Sequence, residues 1–158
     1  MNEEGSLTLP SCAQGGKLSY AIFTLARAHR SYAAELLREL GLHPGQELLL
    51  MQLLDRDGQT QSELLDSVGL DHSTVSKSLG RMEEAGLVTR VPDETDKRVS
   101  RVHLTRKGLA MKSKIASMWN KLERTTVANL DASAIRSFIS LATTVQRSLV
   151  KRDSVTEA

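Results

Sequence analysis

The sequence has a single cysteine in 158 residues. No disulfide framework can close within the chain, and a cysteine-rich zinc module is excluded. Aromatics are nearly as scarce, with one Trp, two Tyr and two Phe. Base-stacking platforms such as an RNA-recognition sheet or an oligonucleotide-binding barrel need more of them. No stretch reaches the roughly 18 consecutive apolar residues of a membrane span. The first fifteen residues have neither a basic start nor an apolar stretch, so no secretory signal is expected. A phosphate-binding glycine loop, a serine-nucleophile motif and paired carboxylates on an apolar face are all missing, so the chain is not expected to be an enzyme. His29, His43, His72 and His103 lack metal-ligand spacing, and neither metal nor cofactor is expected. A soluble cytoplasmic protein of one domain, or one domain with added helices, remains.

What is present is an uneven distribution of charge. Residues 1–70 hold 5 basic and 9 acidic groups, a net −4. Residues 71–124 hold 12 and 7, a net +5, and the remainder carries +1. A basic block on a nearly neutral chain suggests one surface that meets a polyanion; the competing reading is a solvated helix face.

Along the chain, residues 1–16 lack periodicity and end in Gly-Gly, which reads as a flexible arm holding Cys12. Residues 17–43 carry a long helix with its turn. Leu18, Ile22, Leu25, His29, Tyr32 and Leu36 recur at spacings of 4, 3, 4, 3 and 4, close to a heptad seam. Pro44 is expected to open a second helix around Leu48 to Leu54. Thr60-Gln61-Ser62-Glu63 is a capping box that starts a third. Gly69 makes a turn, and Asp71 caps a fourth helix running to Ala85. Two short helices across a glycine turn are a helix-turn-helix signal.

On that fourth helix Val75, Leu79 and Met82 share a core-facing side at 100° per residue. Ser73, Lys77 and Gly80 point away, flanked by Thr74, Ser76 and Arg81. A small, hydroxylic and basic face suits close approach to a major groove. Leu87–Val91 and Val99–Leu104 read as a hairpin whose tip carries Lys97 and Arg98, with Arg101 on the return strand. Such an extended basic tip can enter a minor groove. Asp96 is expected to hold a nearby basic side chain or tip N–H. One further helix is expected from Arg106 to Asn129, with the seam Met111, Ile115, Met118 and Leu122. Its opening charges, Arg106, Lys107, Lys112 and Lys114, oppose the macrodipole and suggest a compensating anion. Trp119 beside the seam reads as core or as a pocket wall. A last helix carries Ile135, Phe138, Ala142, Val145 and Leu149.

The stretch Ser73-Thr74-Val75-Ser76-Lys77 through Met82-Glu83-Glu84-Ala85-Gly86-Leu87-Val88, then Asp93-Glu94-Thr95-Asp96-Lys97-Arg98 and Val102-His103-Leu104-Thr105, resembles the MarR/SlyA family of bacterial winged-helix regulators. The family's acid-x-Arg wing motif falls on Asp96 and Arg98, and its basic recognition positions on Lys77 and Arg81. The resemblance implies a mainly α fold with a small β-hairpin wing: a winged helix-turn-helix at residues 44–105 between dimerisation helices at 17–43 and 106–151, with a polar tail at 152–158. It implies a homodimeric transcriptional regulator, usually a repressor, on a palindromic double-stranded operator. The DNA-binding set would be Ser73, Thr74, Ser76, Lys77, Arg81, Lys97, Arg98 and Arg101. A small phenolic or lipophilic effector is a further implication, with His29 and Trp119 as candidates to contact it. The chain departs from the pattern at His43, where Ser or Thr commonly caps. Serine occupies the Leu18-Ser19-Tyr20 stretch, where peroxide-sensing members carry cysteine. The alternatives are a winged-helix module for protein contacts and an activator without a ligand; basic groups on both groove-facing elements favour DNA.

Overall fold

A computed structural model describes residues 8–150. The expected tail at 152–158 and the start of the expected arm lie outside them. The rest of the arm is not shapeless: Ser11–Gly16 forms a 3-10 turn that runs into helix α1, Lys17–Glu39. Helix α2 spans Gln46–Asp55, strand β1 Gln59–Thr60, α3 Gln61–Val68 and α4 His72–Glu84. Strands β2, Val88–Pro92, and β3, Ser100–Leu104, form the wing. Helices α5, Arg106–Leu109, α6, Met111–Thr126, and α7, Ala132–Val150, complete the chain. The chain forms two compact units that divide after Leu122.

The fold is the expected one, mainly helical with a β wing, and the helix boundaries follow from local chemistry. Helix α1 ends in a Schellman motif: the Leu42 N–H bonds the Leu37 carbonyl and the Gly41 N–H that of Arg38. Gly86 repeats the device after α4, with Leu87 donating to Met82 and Gly86 to Glu83. The Thr60 box closes in both directions, Glu63 N–H to Thr60 Oγ1 at 3.2 Å and Thr60 N–H to Glu63 Oε2 at 2.8 Å.

Four details differ from the sequence reading. Helix α2 starts at Gln46 rather than Pro44, because Gly45 takes the left-handed φ of +92° and breaks the run. The N–H groups that precede it bond side chains of its first turn: Gln46 Oε1 accepts from His43 at 2.9 Å and Glu47 Oε2 from Gly45 at 2.8 Å. The wing is three-stranded, since β1 pairs antiparallel with β3 in the order β1-β3-β2. Strands β2 and β3 each begin one residue later than expected. The helix expected over Arg106 to Asn129 is interrupted at Ala110 and ends at Thr126.

The core of the first unit joins the winged module to its neighbours. Leu49, Leu50, Leu53, Leu64, Val75, Leu79 and Met82 are buried together with Leu36 and Leu37 of α1. Met111, Ile115, Met118 and Leu122 belong to the same cluster. The α6 seam, expected to serve dimerisation, is therefore covered within the chain. The first half of α1 is different, with Leu18, Ile22, Phe23 and Leu25 exposed. In the second unit, α7 buries none of its residues.

Candidate nucleic-acid interface

Helix α4 is positioned from its inner side. Val75, Leu79 and Met82 are buried, as is Ser78, which the wheel reading did not single out. The opposite side leaves Ser73, Lys77 and Arg81 exposed and Thr74 and Ser76 half-buried. At its start, Asp71 accepts the Thr74 N–H at 3.0 Å, the Thr74 hydroxyl at 2.6 Å and the Ser73 hydroxyl at 2.7 Å. The Thr74 and Ser73 hydroxyls, with the Thr74 N–H, hold the Asp71 carboxyl well below the usual carboxylate range. Both hydroxyl hydrogens are thus committed, and the oxygens that face outward are acceptors.

The wing tip is built by two aspartates with separate tasks. Asp96 takes the Arg98 guanidinium side-on, Nε to Oδ1 and Nη2 to Oδ2 both at 3.0 Å, and also accepts the Arg98 N–H. The Arg98 side chain lowers the Asp96 pKa, and Asp96 raises that of Arg98. Arg98 nevertheless remains 91% exposed. A bidentate partner fixes the direction of a guanidinium without covering it. Lys97 is also exposed.

Buried Asp93 organises the turn from inside. It accepts the Thr95 hydroxyl at 2.6 Å, the Thr95 N–H at 2.8 Å and the Asp96 N–H at 3.1 Å, together with Arg101 Nε. The Thr95 hydroxyl leads the donors that keep its carboxyl well below the usual range. Arg101 was expected beside Lys97 and Arg98 as a groove contact. Its guanidinium is engaged within the chain by Asp93 and by the Gly58 carbonyl at 2.9 Å.

Two supports of this surface were missed. Asp57 accepts the Leu104 N–H at 2.8 Å and lies 2.9 Å from His103 Nδ1. Burial raises the Asp57 pKa, but the Leu104 N–H and His103 outweigh it and the net direction is down. Lys107 Nζ donates to the Ala85 carbonyl at 2.7 Å, at the end of α4. One of the four cations opening α5 and α6 is therefore matched by the negative end of α4. The Asp57-Gly58 turn is legible in the sequence as the close of the second helix, but a partner 46 residues away is not.

The effector candidates lie outside an open cavity of the first unit. It measures about 310 Å³ and lies between the end of α1 and α6, with Leu36, Leu40, Met118 and Lys114 in its wall. Neither half-buried His29 nor exposed Trp119 lines it. Cys12 is free and exposed. Among the described residues no His, Cys, Asp and Glu grouping could hold a metal, and no helix is long and apolar enough to cross a membrane.

The MarR family model matches residues 40–99, the helix-turn-helix and most of its wing. Residues 40–99 are therefore similar to the MarR family. An uncharacterized HTH-type transcriptional regulator, YybA of Bacillus subtilis (strain 168), is 29% identical over 84 residues, which are 53% of this chain and 56% of that protein. A MarR transcriptional regulator from Methanosarcina mazei Go1 superposes with a TM-score of 0.71 at 26% identity, covering 84% of this chain and 96% of that one. A mutant E. coli MarR complexed with operator DNA superposes with a TM-score of 0.78 at 22% identity, covering 87% and 99%. The B. subtilis and M. mazei proteins are both described as transcriptional regulators.

Proposed function

We propose that this chain is a cytoplasmic, homodimeric transcriptional regulator of the MarR family that binds a palindromic double-stranded operator, as a repressor released by a small lipophilic or phenolic effector. The observation that carries the DNA-binding part is the aimed and exposed Arg98, clamped by Asp96 at the tip of a wing that follows α4 directly. In this reading Lys77 and Arg81 of α4 enter the major groove, with Ser73 and Thr74 as short acceptors and Ser76 as a short hydroxyl free to donate or accept. Arg98, with Lys97, reaches the adjacent minor groove. The M. mazei and E. coli relatives support it by name, the latter being in complex with operator DNA.

The dimer rests on apolar surface that the chain does not cover. Leu18, Ile22, Phe23 and Leu25 of α1, and Phe138, Ile139, Leu141 and Leu149 of α7, are exposed. Apolar surface of that extent marks an interaction site, and a two-fold copy is the commonest partner. The repressor output and the effector follow from the family resemblance. The effector's seat is left to ligand screening, because the cavity between α1 and α6 is lined by neither His29 nor Trp119.

The test is selection of bound duplexes from random DNA, followed by a salt titration of the selected site. Arg98→Ala is expected to weaken binding and to reduce the slope of log K against log salt by about 0.9, the value of one phosphate-level contact. An unchanged slope and affinity would remove Arg98 from the interface. Failure to enrich any duplex would overturn the DNA-binding reading itself.

A further inference from the structure

Lys97, Arg98 and Arg101 lie at or near the wing tip, and they are in different situations. Lys97 and Arg98 face outward. Arg101 stands on the central strand of the three-stranded sheet, paired with Thr60 of β1 on one side and Val91 of β2 on the other. From there its fork spans two parts of the fold. Nε bonds Asp93, whose carboxylate gathers the Thr95 and Asp96 amides of the tip. Nη1 bonds the carbonyl of Gly58, in the turn that leads into the helix-turn-helix. The same Nη1 lies 4.0 Å from Glu63 Oε2, which closes the capping box of α3. Glu63 also meets Arg56 at 3.1 Å.

Only a planar fork can do this. A lysine ammonium is a point charge and cannot hold a carboxylate and a carbonyl in fixed, divergent directions. We propose that Arg101 is a positioning residue, not a DNA contact: it ties the wing tip, through Asp93, to the Gly58 turn of the helix-turn-helix and so sets the pose from which Arg98 enters its groove. The proposal rests on the DNA-binding reading above and goes beyond it, since it removes a cation from the contact set and assigns Asp93 and Gly58 to its work.

The experiment compares Arg101→Ala, Arg101→Lys and Asp93→Asn with the wild-type chain. It reads duplex affinity across a salt titration and amide exchange at Thr95 and Asp96. A brace predicts that both Arg101 variants bind about tenfold more weakly, as for a charge-assisted pair half-open to water, with the wild-type salt slope retained. Asp93→Asn separates the models by sign. It removes a negative charge near a polyanion, so electrostatics alone would tighten binding, whereas loss of the brace weakens it. The Thr95 and Asp96 amides are expected to exchange several-fold faster in Arg101→Ala.

The proposal is overturned if Arg101→Lys binds like wild type while Arg101→Ala lowers the salt slope by about 0.9, which is the signature of a phosphate contact. Tighter binding by Asp93→Asn, or unchanged amide exchange in Arg101→Ala, also overturns it. Should the wild-type chain bind no duplex, the DNA-binding reading fails separately. The amide exchange then decides alone whether Arg101 holds the wing. Arg101 is exposed enough that its lysine variant keeps the fold, so the comparison does not depend on the alanine variant alone.

Discussion

Helices α4 and α7 are both amphipathic, yet only one has its apolar side covered. Val75, Leu79 and Met82 of α4 are fully buried, whereas Phe138 and Leu149 of α7 are 53% and 63% exposed. The sequence patterns are alike, with apolar residues at alternating spacings of three and four. What differs is the partner. Helix α4 is pressed into a core that its own chain supplies, and each of its ends is fixed by a side chain, Asp71 at the start and Lys107 at the finish. Helix α7 has a local cap in Asp131, which accepts the Ala134 N–H at 2.7 Å, but no buried residue. Periodicity reports that a face wants burial; it does not say by what.

The comparison can be broken at three points. The largest effect is expected from Phe138→Glu in α7. In the proposed two-fold dimer the residue would count twice, and losing one Phe buried there per copy would cost roughly 3–6 kcal/mol of association. Sedimentation should show monomers with an intact winged module; a persistent dimer would remove α7 from the interface. Leu79→Ala in α4 should act on the other quantity, lowering the unfolding free energy by about 2–5 kcal/mol in urea titration. A loss under 1 kcal/mol, on the order of a surface substitution, would contradict the burial of that residue. The smallest effect is expected at the first helix of the motif. Thr60→Ala deletes the hydroxyl that accepts the Glu63 N–H and should cost about 1 kcal/mol by the same titration. A neutral result would mean that water replaces the cap.

What could be read in advance tracks the distance over which the controlling contact acts. The Thr60 and Asp71 caps, the Gly41 and Gly86 helix ends and the Val75-Leu79-Met82 side all depend on residues within one or two turns, and the sequence shows them. The Asp96 clamp on Arg98 is equally local. Strand β1 is only two residues long and is a strand because Gln59 and Thr60 pair with Val102 and Arg101. No alternation can show in two residues. Arg101 is the clearest case at the site. Its side chain looks like its cationic neighbours in sequence, and its assignment turns on Gly58, 43 residues earlier. Likewise the α6 seam was visible as a seam, while its burial inside the chain depends on packing beside α1 residues such as Leu36 and Leu37.

The glycine that starts the exit from the wing has a mechanical consequence. A methyl group at Gly108 would lie 2.1 Å from the Leu87 carbonyl oxygen, so α5 touches the end of the recognition segment backbone to backbone. Thr105 donates to that same carbonyl through its N–H and its hydroxyl, and Lys107 reaches Ala85. Close-packed contacts of this kind have little compliance. The junction therefore works as a rigid knuckle: a tilt imposed on α5 is delivered to the last turn of α4 with almost no slack in between.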